Sequence, residues 1–105
     1  MRRIWAGIVV AALALPAVAA EPQTIATEGF GCLALRDFER AVQFADQDDA
    51  EAFKKFVEQK GETGDCRSLH KGQSVFLENT SGSGRICVRP KGDIECLWTG
   101  STIVE

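Results

Sequence analysis

The chain has 105 residues, 45% hydrophobic and 26% charged, with four cysteines and a net charge of −3. That length holds one small domain and is too short for two. The acidic balance repels phosphate backbones and anionic lipid headgroups, which argues against nucleic acid or a membrane surface as partner.

Met1-Arg2-Arg3 is a short basic start, Ile4 to Leu15 an apolar run, and Ala17-Val18-Ala19-Ala20 a small-residue processing site. This is the pattern of a secretory signal peptide, cut after Ala19 or Ala20. The run meets Pro16 before it reaches the ~20 apolar residues of a membrane span. No cysteine follows the site directly to carry a lipid anchor, and the residues flanking Arg2-Arg3 do not extend a twin-arginine pattern. Residues 1–20 are therefore expected to be removed, leaving a soluble product, periplasmic or secreted from a bacterium, with no membrane insertion. Ten basic side chains then face 15 acidic ones, a net charge of −5.

Residues 21–31 carry one proline and two glycines without a helical period and read as a flexible lead-in. From there, 32–105 reads as a single α+β domain. Leu35, Phe38, Ala41, Val42 and Ala45 recur at three- and four-residue steps, the spacing of one helix face, with Asp37 as a cap. Asp48 and Glu51 make a capping-box-like start for a second helix, whose stripe is Phe53, Phe56 and Val57 and whose C-cap is Gly61. The two form a helical hairpin within 32–66. The β part spans 67–105: a strand at Ser74 to Leu77, a loop at Asn79 to Gly84, a hairpin from Arg85 to Trp98 and a last short strand at Thr102 to Val104.

Export places Cys32, Cys66, Cys87 and Cys96 in an oxidising compartment, where they read as a disulfide framework. If Pro90 faces Asp93 across a tight turn at Gly92, then Val88 faces Glu95 and Cys87 faces Cys96 in a non-hydrogen-bonded pair, ~4.5 Å apart. Cys32 is left with Cys66. The longer bridge is worth about 3–4 kcal/mol and the shorter about 2.5–3 kcal/mol in the chain-entropy model. Zinc ligation is disfavoured, because the cysteines are widely spaced and the only histidine, His70, is near none of them in sequence.

The stretch from Leu69 to Val104 resembles the small SH3-like barrels of bacterial envelope proteins. The resemblance lies in Leu69 with Lys71-Gly72, Val75 and Leu77, a glycine-bearing loop, Ile86 and Val88-Arg89 before Gly92, and Trp98 before a hydrophobic finish. Leu97-Trp98-Thr99 stands where such domains carry Gly-Trp-Val. The chain is also similar to small exported proteins that set a cysteine-flanked helical hairpin before such a barrel. The fold implied is an N-terminal αα-hairpin packed on a small antiparallel SH3-like β-barrel with two disulfides. No specific activity is implied.

Reactive constellations are weak. His70 has Ser68 nearby, but neighbours two apart on a strand share a face by geometry alone. Asp46, Asp48, Asp49 and Glu51 fail the calcium-loop template, which wants glycine where Glu51 sits and glutamate where Val57 sits; helix capping explains them. Asn79-Thr80-Ser81 fits a glycosylation acceptor, expected to stay bare in a bacterial protein. On the hairpin register, Arg85, Cys87, Arg89, Ile94, Cys96 and Trp98 share one face, while Ile86, Val88, Glu95 and Leu97 share the other, with Ile86, Val88 and Leu97 the better core. Trp98 with Arg85 and Arg89 either forms a recognition patch or is covered by the phenylalanines of the helices, and the covered role is favoured. Phe44, off the first helix stripe, is a further partner-contact candidate. The expectation is a non-enzymatic binding module for a protein or envelope component, without cofactor or metal. The alternative is an inhibitor of a lysozyme-like or proteolytic enzyme.

Overall fold

The computed structural model describes residues 21–104, so the signal peptide expected at 1–20 lies outside the described residues. Six strands and two helices follow in the order β1 (Gln23–Thr24), β2 (Gly29–Cys32), α1 (Leu35–Asp46), α2 (Ala50–Thr63), β3 (Cys66–Leu69), β4 (Ser74–Thr80), β5 (Arg85–Pro90) and β6 (Leu97–Gly100), with a 3-10 turn at Ser101–Ile103. The strands form one antiparallel sheet in the order β1-β4-β5-β6-β2-β3. The class is α+β, as expected, but the sheet is open rather than a closed barrel. Its edges are β1 and β3. The helices are not an N-terminal unit either, since β1 and β2 precede them and the hairpin is inserted between β2 and β3.

The largest correction concerns residues 21–31, which are not a flexible lead-in. Ile25 is completely buried, and β2 sits between β6 and β3 in the sheet. Glycine normally weakens a strand, but it is used where another backbone or side chain must come close. A Cβ on Gly31 would stand 2.8 Å from Leu97 Cβ and 3.2 Å from the Trp98 carbonyl oxygen, and one on Gly29 would stand 2.8 Å from Ile103 Cδ1. The bare face of Gly29 and Gly31 thus lets Leu97 and Ile103 seat against β2, while Phe30 and Cys32 point to the opposite face.

That alternation divides the interior into two layers. Ile25, Leu69, Val75, Ile86, Val88, Leu97 and Ile103 fill the concave side of the sheet, with Leu33 and Val104 against them. On the other side, Cys32, Cys66 and Phe38 pack with Phe30, Val42 and Trp98 beneath the helices. Thr99, 2% exposed, satisfies its hydroxyl by donating to the Phe30 carbonyl at 2.9 Å. The last strand expected at Thr102 to Val104 is instead the 3-10 turn, which buries Ile103, followed by a single bridge from Val104 to Ile25.

Both helices form where their periodicity places them, with different ends. Ala34, not Asp37, is the N-cap of α1; Asp37 lies in the first turn and pairs with Lys60 of α2 at 3.4 Å. Asp49, not Asp48, caps α2 by accepting from the Ala52 amide at 3.0 Å. Gly61 lies inside α2, and the C-cap is Gly64 at φ 81°, a left-handed position that glycine adopts without a steric penalty.

The two disulfides are Cys32–Cys66 and Cys87–Cys96. The hairpin register differs from the expected one. Cys87 faces Trp98 and Val88 faces Leu97, two positions along from the anticipated pairing. The Pro90–Asp93 turn does form, with the Asp93 amide donating to the Pro90 carbonyl at 2.9 Å, but Ile94 and Glu95 then bulge outward before β6 begins. Cys96 reaches Cys87 diagonally, with Cα atoms 5.3 Å apart. The directly opposed cysteine pair is Cys32 with Cys66, Cα atoms 3.9 Å apart.

Candidate functional site

A slip of two residues preserves the two faces of a strand, because side chains alternate with period two. Arg85, Cys87, Arg89 and Trp98 accordingly share the outer face of the sheet, as expected, but they do not form one free patch. Trp98 is half-buried against Cys32, Cys66 and Phe38. Arg85 lies 5.3 Å from the centroid of the Phe38 ring and donates to the Glu39 carboxylate from Nε and Nη2, at 3.3 and 3.0 Å. Arg89 is held separately. It donates to Glu78 at 2.6 Å and to the Asp93 carbonyl at 3.0 Å, and stacks 4.8 Å from the Phe76 ring centroid. Phe44 packs edge-on against Phe56 at 5.8 Å, with the Arg40 guanidinium 4.3 Å from its ring centroid. All four candidates therefore have intramolecular partners that explain them.

Ile94 is the residue that the sequence reading placed wrongly. Put on the outer sheet face by the expected register, it is 92% exposed at the crest of the loop from Lys91 to Cys96. The loop is braced three ways, by the Cys87–Cys96 disulfide, by the bond from Arg89 to the Asp93 carbonyl, and by the Pro90–Asp93 turn with Gly92 at φ 95°. An apolar side chain is held in water by a rigid frame. The available signal was the six-residue span from Lys91 to Cys96, too long to be absorbed by a two-residue turn.

Two shallow clefts flank the helix–sheet layer. One, about 300 Å³, lies between α2 and β3 and is lined by Phe30, Val57, Gly61, Cys66, Arg67 and Ser68. The other, about 210 Å³, runs beside Glu28, Phe38 and Ile103. Near it, the Glu28 carboxylate accepts from the Lys71 amide at 2.8 Å and lies 3.1 Å from His70 Nδ1. The backbone bond from Lys71, then the bond with His70, holds the Glu28 carboxyl below its ordinary pKa. His70 is thus tied to a carboxylate at a turn rather than poised beside Ser68. Among the described residues no group of three or more His, Cys, Asp or Glu side chains could hold a metal ion, and no helix is long and apolar enough to cross a membrane.

No protein-family model matches the chain, and neither a curated protein nor a solved structure matches it.

Proposed function

We propose that the chain is an exported, non-enzymatic binding module whose principal contact is the Ile94 loop. One observation carries the reading: an isoleucine 92% exposed on a loop braced by a disulfide, an arginine and a tight turn. Single exposed apolar residues are ordinary on protein surfaces, and this one is set apart by the three constraints on its loop. Here the entropy of ordering the loop is lost on folding, so a partner that seats Ile94 gains apolar burial with little further ordering cost. The two disulfides and the leader-like start of the sequence support an oxidising compartment such as the periplasm. The partner fitting this knob is a protein with an apolar pocket.

The test is capture from envelope extract by wild type, Ile94→Asp and Leu77→Asp, the last altering the other large hydrophobic residue that stands exposed among the described residues. A partner held by wild type and Leu77→Asp and released by Ile94→Asp is the expected result. Equal retention by all three overturns the role of the loop. The same rigid knob favours a second reading, an inhibitor that plugs an enzyme's pocket. Slowed cell-wall lysis or proteolysis by wild type, abolished by Ile94→Asp, would select it.

A further inference from the structure

We propose that the free edge of β3, together with the cleft between β3 and α2, binds an extended segment of a partner protein by strand addition. The hydrogen-bonding pattern of the edge carries the first step. Leu33 donates to the Asp65 carbonyl at 2.7 Å, and the Cys32 and Cys66 Cα atoms stand only 3.9 Å apart. The bonded pairs of this ladder are therefore Leu33/Asp65, Gly31/Arg67 and Gly29/Leu69, and Cys66 and Ser68 lie at non-bonded positions. At those positions the backbone N–H and C=O turn away from β2; Cys66 is buried, so the accessible groups of this edge are those of Ser68, which among the described residues has no backbone partner on that side. An extended chain laid alongside satisfies both groups of Ser68.

The second step is the cleft beside this edge. Phe30 and Val57 line it with apolar surface, and Gly61 leaves it open. Gly61 has no evident role in the domain itself. It lies in the last turn of α2 with helical backbone, it is not the cap, and a Cβ built on it meets nothing within 4 Å. A glycine there costs helix stability relative to alanine without relieving any clash. What it does provide is space, into which an incoming strand can place an apolar side chain. Arg67 stands at the rim, half exposed, with Nε donating to the Gly64 carbonyl at 3.0 Å and Nη2 3.9 Å from Glu95, a separation long enough for an acidic neighbour in the segment to compete for the guanidinium. Glu95 follows Ile94, so a protein that seats Ile94 can run its next stretch past β3. The inference rests on the binding-module reading, and a peptide probe lets the two fail separately.

The experiment is selection of a randomised short-peptide phage library against the oxidised chain, then titration of the selected peptides against wild type, Gly61→Leu, Ser68→Pro and Leu77→Asp. Gly61→Leu places bulk in the cleft from a position whose Cβ meets nothing within 4 Å. Ser68→Pro deletes an edge donor that makes no ladder bond, a change edge strands tolerate. The selected peptides should share an apolar residue with an acidic neighbour. Gly61→Leu and Ser68→Pro should each weaken binding about tenfold, a loss of about 1.4 kcal/mol, while Leu77→Asp binds as wild type. The thermal midpoint of Gly61→Leu should not fall below that of wild type, and the Ser68 amide should gain protection from exchange on binding. Failure to enrich any peptide, or equal affinity in wild type, Gly61→Leu and Ser68→Pro, overturns the proposal. So does concentration-dependent dimerisation abolished by Ser68→Pro, which would make a second copy of the chain the occupant.

Discussion

On the concave side of the sheet seven aliphatic side chains are 0–9% exposed and interlock through the bare face of β2. Under the helices the material is different. Phenylalanines, a tryptophan and two cysteines pack there, Phe30 meeting Phe38 at 5.3 Å and Phe53 at 5.8 Å, and α2 contributes no buried residue at all. The concave layer is held chiefly by apolar burial. The helical layer is held by partial burial, the Lys60–Asp37 and Arg85–Glu39 pairs, and a covalent tie at its base. Burial and cross-linking thus divide the work, and the part that needs the cross-link is the part flanked by the clefts.

The widest gap should appear on truncating one residue from each layer. Leu97→Ala opens a cavity in the concave layer and should cost about 3–4 kcal/mol, whereas Phe56→Ala, on the half-exposed stripe of α2, should cost about 1 kcal/mol. Denaturant unfolding of the two variants measures this, and equal costs would erase the distinction between the layers. Next come the disulfides. Replacing Cys32 and Cys66 by alanine should cost about 3.5–4 kcal/mol, and replacing Cys87 and Cys96 about 2.5 kcal/mol, since the first closes the longer loop. The totals do not locate the loss, so hydrogen exchange is the sharper reading. Loss of Cys32–Cys66 should speed exchange in α1 and α2 while the concave layer stays protected. Loss of Cys87–Cys96 should loosen the Ile94 loop.

Smaller and opposite effects are expected from one substitution at two glycines of the helical layer. Gly64→Ala forces a side chain into a left-handed conformation and should cost about 1 kcal/mol, while Gly61→Ala should stabilise by about 0.5–1 kcal/mol. Thermal denaturation of the pair decides it, and destabilisation by Gly61→Ala would mean that its neighbours are closer than the geometry shows.

The two glycines also illustrate what was legible in the sequence. Helical periodicity located α1 and α2 because three- and four-residue spacing survives any local context, but the cap was assigned to the first glycine met rather than the one with a positive φ. Face assignment in the hairpin was legible for a similar reason. Ile86, Val88 and Leu97 point to the core under either register, whereas the register itself depended on a six-residue loop whose excess length hid Ile94. The lead-in was illegible because Gly-Phe-Gly-Cys has the composition of a linker. Its strand character comes from Leu97 and Ile103 approaching two bare positions, a contact that exists only once the distant β6 and the 3-10 turn are in place. The partner candidates Arg85, Arg89 and Trp98 were placed on the correct face, yet Glu39, Glu78 and Phe38, which occupy them, come from elements whose packing no local pattern announces.

The smallest effect tests how the rim of the concave layer is fastened. Glu28, between β1 and β2, accepts from the Lys71 amide in the turn between β3 and β4, next to the bond from the Gly72 amide to the Ile25 carbonyl. The carboxylate form is favoured in the folded chain, first by that amide and then by His70, so its pKa lies below the ordinary value. For a depressed carboxyl, the stabilisation is fully present above the unfolded pKa and is lost as pH falls through the folded one. The Lys71 amide resonance should therefore titrate with a midpoint below 4.5, the ordinary glutamate value, and the tie should weaken only in that acid range. Glu28→Gln keeps an acceptor for the amide but no charge, so in that variant the Lys71 signal should stay flat through the same range and the thermal midpoint should hardly move, both side chains being well exposed. A Lys71 titration at or above the free-glutamate value would mean that the carboxylate does not cap this turn, leaving the Gly72–Ile25 bond as the fastening of the rim.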